Sequence, residues 1–203
     1  LKNVRSQEKK KYIFNPKIKT NKTIIAPFLI PPYGENLFRI IENRPELREV
    51  FGRWFKEYNL RLVLDRTSNS IKIQKEVGEN EVFILPYSMI ADTLQRLIFY
   101  KTAVASNQNS VLIFEEPEAH AFPPYIAEFT QEVIKSTTNQ FFIATHSPIV
   151  VNDFLENARE DLSIFMMDFK DGQTVARALT REESEEVYDC GVDLFFSNEA
   201  YVV

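Results

Sequence analysis

The chain has 203 residues, a formal net charge of −5, 44% hydrophobic and 26% charged residues, and one cysteine, Cys190. This is enough for one good core with ordinary globular composition. No stretch approaches the ~20 uncharged apolar residues of a membrane-spanning helix. A lone cysteine excludes an internal disulfide framework and suits a reducing compartment. A negative balance argues against whole-surface attraction to nucleic acid, and with no cleavable signal pattern a cytoplasmic location is the expectation.

Residues 1–30 are expected to be a basic segment with a possible strand over 23–30. Lys9, Lys10, Lys11, Lys17, Lys19 and Lys22 are interleaved with Tyr12 and Phe14, a pattern open to a nucleic-acid contact or to a solvated face or linker. Pro31-Pro32-Tyr33-Gly34 forces a turn, and residues 36–42 and 46–58 read as helices separated by Pro45. In the second, Leu47, Val50, Phe51, Trp54 and Phe55 share helical spacing, so Trp54 reads as a core anchor more readily than as a base-stacking residue.

Strand-like alternation follows at 60–65, 70–77 and 82–85. A helix is expected from about 88 to 105, with Ser88 at its N-cap and Ile90, Leu94, Leu97 and Ile98 on one face. Residues 111–115 form a continuous apolar run ending in acid, the mark of a strand buried on both faces. Pro123 and Pro124 suit the first turn of the next helix, and 141–145 gives a second buried strand. Strand, helix and strand at this spacing make a βαβ unit with parallel strands. A hairpin over 162–179 turning at Asp171-Gly172 and a helix over 181–188 complete the reading. The fold class expected is α/β, a mostly parallel sheet flanked by helices with a β-rich edge.

In open α/β sheets ligands bind at the carboxyl ends of the strands. Glu115 and Glu116 end the first parallel strand, and Thr145, His146 and Ser147 follow the second, so carboxylates and an imidazole are expected on one rim. Such a rim suits phosphoryl transfer to water: one carboxylate holds Mg²⁺, its neighbour orients the attacking water, and an imidazole donates to a phosphate oxygen.

The stretch Val111-Leu112-Ile113-Phe114-Glu115-Glu116-Pro117-Glu118-Ala119-His120 resembles the Walker B and D-loop region of AAA-class ABC-type ATPase heads, the RecF, OLD and SMC-like kind. Ala144-Thr145-His146-Ser147-Pro148 resembles their switch-histidine loop, and Leu85-Pro86-Tyr87-Ser88 with Asp92, Gln95 and Arg96 their signature region. On this resemblance residues 31–203 are the C-terminal lobe of such a domain. Glu115 would be the water-mediated Mg²⁺ carboxylate, Glu116 the catalytic glutamate, and His146 the γ-phosphate sensor. Ser88 would face ATP bound by an opposing subunit, while Glu118, Ala119 and His120 would lie at the seam of a head-to-head homodimer. The implied cofactors are ATP and Mg²⁺. A nucleic acid or a separate effector protein would be a further partner, in DNA repair or phage defence, with no membrane involved.

Two departures bear on activity. Ala91 and Thr93 stand where related signatures often carry glycine. The glycines, Gly34, Gly52, Gly78, Gly172 and Gly191, are followed by Glu, Arg, Glu, Gln and Val, so no Gly-Lys-Ser/Thr phosphate loop is present. The sequence opens at Leu1 with its first methionine at Met89, which leads to the expectation that it is a piece of a longer polypeptide, inactive by itself. A non-hydrolysing interaction module is the alternative. A nucleotide-free metallohydrolase using Glu116, Glu118, His120 and His146 is a third reading, opposed by Pro117, which keeps Glu116 and His120 off a common helix face.

Overall fold

The computed structural model describes residues 8–17, 25–197 and 201. Two compact units are distinguished, Leu1–Ala144 and Thr145–Val203.

In the first unit, β1 (Glu8–Tyr12) precedes the helices α1 (Leu37–Asn43) and α2 (Pro45–Glu57). The strands β2 (Arg61–Asp65), β3 (Ser70–Gly78) and β4 (Glu81–Pro86) form an antiparallel sheet in that order. A 3-10 turn at Tyr87–Met89 leads to α3 (Asp92–Ser106), β5 (Ser110–Glu115), α4 (Pro123–Lys135) and β6 (Gln140–Ala144). β5 pairs in parallel with β1 on one side and with β6 on the other. The parallel βαβ unit and the α/β class are therefore as expected, with the antiparallel sheet as the β-rich element.

β1 itself was not foreseen. Its lysines alternate with the pleat: Lys9 and Lys11 are exposed, whereas Lys10 and Tyr12 are buried. Burying an ammonium is tolerable only with partners. Lys10 Nζ donates to Asn107 Oδ1 at 2.8 Å, pairs with Glu8 at 3.1 Å and lies 3.4 Å from the centroid of the Phe28 ring. For 8–12 a sheet strand replaces the linker reading, and Lys9 and Lys11 remain as exposed charges on it. Lys19 and Lys22 lie outside the described residues, as do 23 and 24 of the expected strand over 23–30; residues 25–30 form no strand.

The sheet is two-sided in character. One face, with Tyr12, Leu112 and Phe114, is buried, and Phe114 meets Tyr12, Tyr100, Phe129 and Phe141 at ring-centroid distances of 5.5–6.3 Å. On the other face Lys9, Lys11, Glu115, Gln140, Phe142 and Ala144 are exposed. Within β5 itself both faces carry covered residues, Leu112 and Phe114 on one and Val111 with partly buried Ile113 on the other. Cover is lost only at Glu115, so the reading of two covered faces holds for the strand up to its acidic end. Trp54 is half-buried and packs on Phe51 at 5.2 Å, as a core residue does.

Gly34 shows why the turn after Pro31-Pro32 requires glycine. Its φ is +68°, and an added Cβ would lie 2.7 Å from Phe99 Cε2 and 3.0 Å from Leu29 Cδ1. Gly34→Ala combines backbone strain with overpacking and is expected to cost ~3 kcal/mol of stability, measured by urea unfolding. A cost within ~0.5 kcal/mol, the range of neutral surface changes, would contradict this account of the turn.

The second unit holds α5 (Pro148–Asn157), which sequence reasoning missed, the hairpin β7 (Phe165–Lys170) and β8 (Gln173–Ala178), and α6 (Arg181–Cys190). The hairpin turns as expected at Asp171 and Gly172, with φ of +52° and +78°, the geometry that matches strand twist in a two-residue turn. α6 opens on a capping box in which Thr180 Oγ1 accepts from the Glu183 N–H and Glu183 Oε2 accepts from the Thr180 N–H. Leu155, Val187, Leu194 and Tyr201 form this unit's own core.

Candidate functional site

The carboxyl end of β5 positions the acids. Glu115 is the register partner of Ala144, the last residue of β6, so both strands finish at the same level. One residue later the Glu116 N–H donates to the Ala144 carbonyl at 2.8 Å while its φ is +43°. A left-handed glutamate is uncommon, and the ladder hydrogen bond holds it as the chain turns out of the sheet. Ala119 N–H then donates to the Glu116 carbonyl at 3.0 Å and Ala121 N–H to the Glu118 carbonyl at 2.8 Å, which makes the segment after Pro117 a compact double turn.

Glu115 and Glu116 are exposed, Glu118 is partly buried, and His120 is exposed with φ +61°. Lys11, one strand over, ion-pairs with Glu115 Oε2 at 2.8 Å. Its hydrogen bond and charge hold the Glu115 carboxyl below the ordinary range, against a small opposing effect of burial.

The double turn is tied to the start of α3. Thr93 Oγ1 donates to the His120 carbonyl at 2.7 Å, His120 Nδ1 lies 3.1 Å from Asp92 Oδ2, and Arg96 Nε donates to the same oxygen at 2.7 Å. Burial pushes the Asp92 carboxyl up, but the hydrogen bonds and charges of Arg96 and His120 outweigh it, and the net direction is down. The expected D-loop and signature segments are thus joined through residues that sequence reasoning placed in the signature helix without assigning a contact.

Ser88 departs from its expected place. It sits exposed in the 3-10 turn, and α3 begins at Asp92 with Ala91 as N-cap and no side-chain cap. Tyr87 Oη donates to the Gln95 carbonyl at 3.0 Å and Gln95 Nε2 to the Ile90 carbonyl at 2.8 Å. These bonds fix an extended step at Ile90 and delay the helix by four residues. The helix expected over 88–105 is corrected accordingly.

His146 follows β6 by two residues and belongs to the second unit, where its exposed ring lies 6.4 Å from the Phe195 ring. No three His, Cys, Asp or Glu side chains come together as a metal-holding group among the described residues, so the metallohydrolase reading gains no ligand set there. For Mg²⁺, a strand-end carboxylate is the right donor chemistry, because the ion commonly takes one or two carboxylates and completes its shell with phosphates and water. Glu115 fits that part, with one oxygen engaged by Lys11.

No helix among the described residues is long and apolar enough to cross a membrane. No curated protein matches the chain. Solved structures of similar fold include one described as the structural biochemistry of ATP-driven dimerization and DNA-stimulated activation of SMC ATPases. It is 13% identical, with a TM-score of 0.49, over 76% of this chain and 96% of that one. The Smc head domain with a coiled coil and joint from Pyrococcus yayanosii is 15% identical, TM-score 0.47, over 71% of this chain and 29% of that one. The Smc head bound to the C-terminal domain of ScpA from Pyrococcus furiosus is 15% identical, TM-score 0.46, over 70% and 37%. A family model described as "AAA domain, putative AbiEii toxin, Type IV TA system" matches residues 14–152, well over half of the chain. With paired strand-end carboxylates on a parallel α/β sheet, the chain belongs to that family of AAA domains.

Proposed function

We propose that this chain supplies the hydrolytic and sensing edge of an ATPase head of the RecF/OLD-like kind, whose ATP-driven dimerisation controls DNA processing or a defence effector. The observation that carries the proposal is the emergence of Glu115 and Glu116 level with the end of the parallel neighbour β6, with Glu116 held out of the sheet by its bond to Ala144. In this reading Glu116 would polarise the attacking water, Glu115 would hold Mg²⁺, and His146 would be the residue that senses the γ-phosphate. Bound Mg²⁺ supplies charge compensation for the transferred phosphoryl group. Ser88 and the 3-10 turn face nucleotide on an opposing subunit, with Glu118 and His120 at the seam. The toxin–antitoxin wording of the family description supports the defence branch, and a cytoplasmic location suits it.

A non-hydrolysing interaction module is the second reading, favoured by the missing Gly-Lys-Ser/Thr. Without that loop's backbone donors and lysine most triphosphate affinity is lost. The pure chain is therefore expected to hydrolyse ATP negligibly, and turnover is expected to appear when a phosphate-loop segment, read from the frame upstream of Leu1, is supplied. Robust turnover by the pure chain would refute the division of labour proposed. No phosphate loop upstream would favour the module.

A further inference from the structure

We infer that Lys11 is the resting counter-ion of Glu115 and controls how a divalent ion is admitted to it. The inference rests on the reading of Glu115 as the metal carboxylate. β1 and β5 are parallel with Lys11 opposite Ile113, and Glu115 lies two residues beyond Ile113 on the same strand. Side chains in register and two apart share a face of a pleated sheet, so the ammonium and carboxylate leave adjacent strands on one side and meet at 2.8 Å. Both come off hydrogen-bonded strands, so less backbone entropy is spent on the pair than on one between loops.

The contact has a chemical consequence. A lone divalent ion approaching Glu115 meets an ammonium already on Oε2 and must displace it or share the carboxylate. An ion arriving with a triphosphate brings anionic oxygens to which the freed ammonium can turn. Lys11 thereby disfavours the bare ion and favours the ion accompanied by nucleotide. It is a positioning and selecting residue, acting through Glu115.

The test is Mn²⁺ binding to the nucleotide-free chain, followed by the loss of the free-ion electron paramagnetic resonance signal. Lys11→Met, which keeps the stem and removes the charge, is expected to tighten Mn²⁺ binding about 5-fold. Lys9→Met, which removes an exposed charge from the same strand, is expected to change it less than about 2-fold. In the background of Glu115→Gln the gain from Lys11→Met should vanish. Unchanged affinity in Lys11→Met, or an equal gain from Lys9→Met, overturns the role of Lys11 and leaves the ATPase reading standing. Mn²⁺ binding that ignores Glu115→Gln overturns the metal role of Glu115 itself. Circular dichroism of each variant separates these outcomes from misfolding.

Discussion

Replacing Glu116 with glutamine is expected to lower ATP hydrolysis by about 10²–10⁴-fold in the head completed by a phosphate loop, the range for losing a positioned general base. Glutamine keeps the side chain's length and its hydrogen-bonding capacity but cannot take a proton from water. The backbone of residue 116 is set by its own N–H bond to Ala144, which the substitution leaves intact. Nucleotide affinity should therefore survive and an ATP-bound dimer accumulate, visible as a shift in size-exclusion chromatography that ATP induces and hydrolysis no longer reverses. Unchanged turnover would remove Glu116 from the chemistry. Lost ATP binding would make its role one of architecture.

The largest expected stability effect is at Phe114. This side chain is 1% exposed and touches aromatic rings from β1, α3, α4 and β6. Phe114→Ala removes the ring from a site that rigid neighbours cannot collapse to fill, and should destabilise the first unit by ~3–5 kcal/mol. Phe114→Leu, closer in volume, should cost less than half of that. Urea unfolding followed by Trp54 fluorescence reads this unit, since Trp54 is the only tryptophan. A loss below ~1 kcal/mol would mean that Phe114 does not anchor the core. Its position next to Glu115 links the two predictions: the core residue before the acids fixes where the strand ends.

The residues disclosed the βαβ unit because each of its signals is local. Apolar runs mark β5 and β6, Pro123 starts α4, and a 3.6-residue spacing places Ile126, Phe129 and Val133 inward. What could not be read depends on distant partners. Lys-rich β1 looks like solvated charge until Asn107 and Ser110, 97 and 100 residues away, receive Lys10. Ser88 satisfies the local rule for a cap, yet bonds among Tyr87, Ile90 and Gln95 shift the helix start past it. The left-handed backbone of Glu116 and His120 likewise has no mark in sequence, because neither residue type demands it. The acids themselves were legible; the contacts of Asp92, Thr93 and Lys11 with that region were not.

The sheet has a practical corollary at β6. Among the described residues this strand pairs on one side only, and its sequence Gln-Phe-Phe-Ile-Ala carries no charge and no proline, with Phe142 52% exposed. Natural sheets usually guard such a border with lysine, proline or a bulge, since bare N–H and C=O rows recruit strands from other molecules. Concentrating the polypeptide by itself therefore invites misassembly through this border. A co-purified strand-donating companion, or a single lysine in place of Phe142, would keep it dispersed.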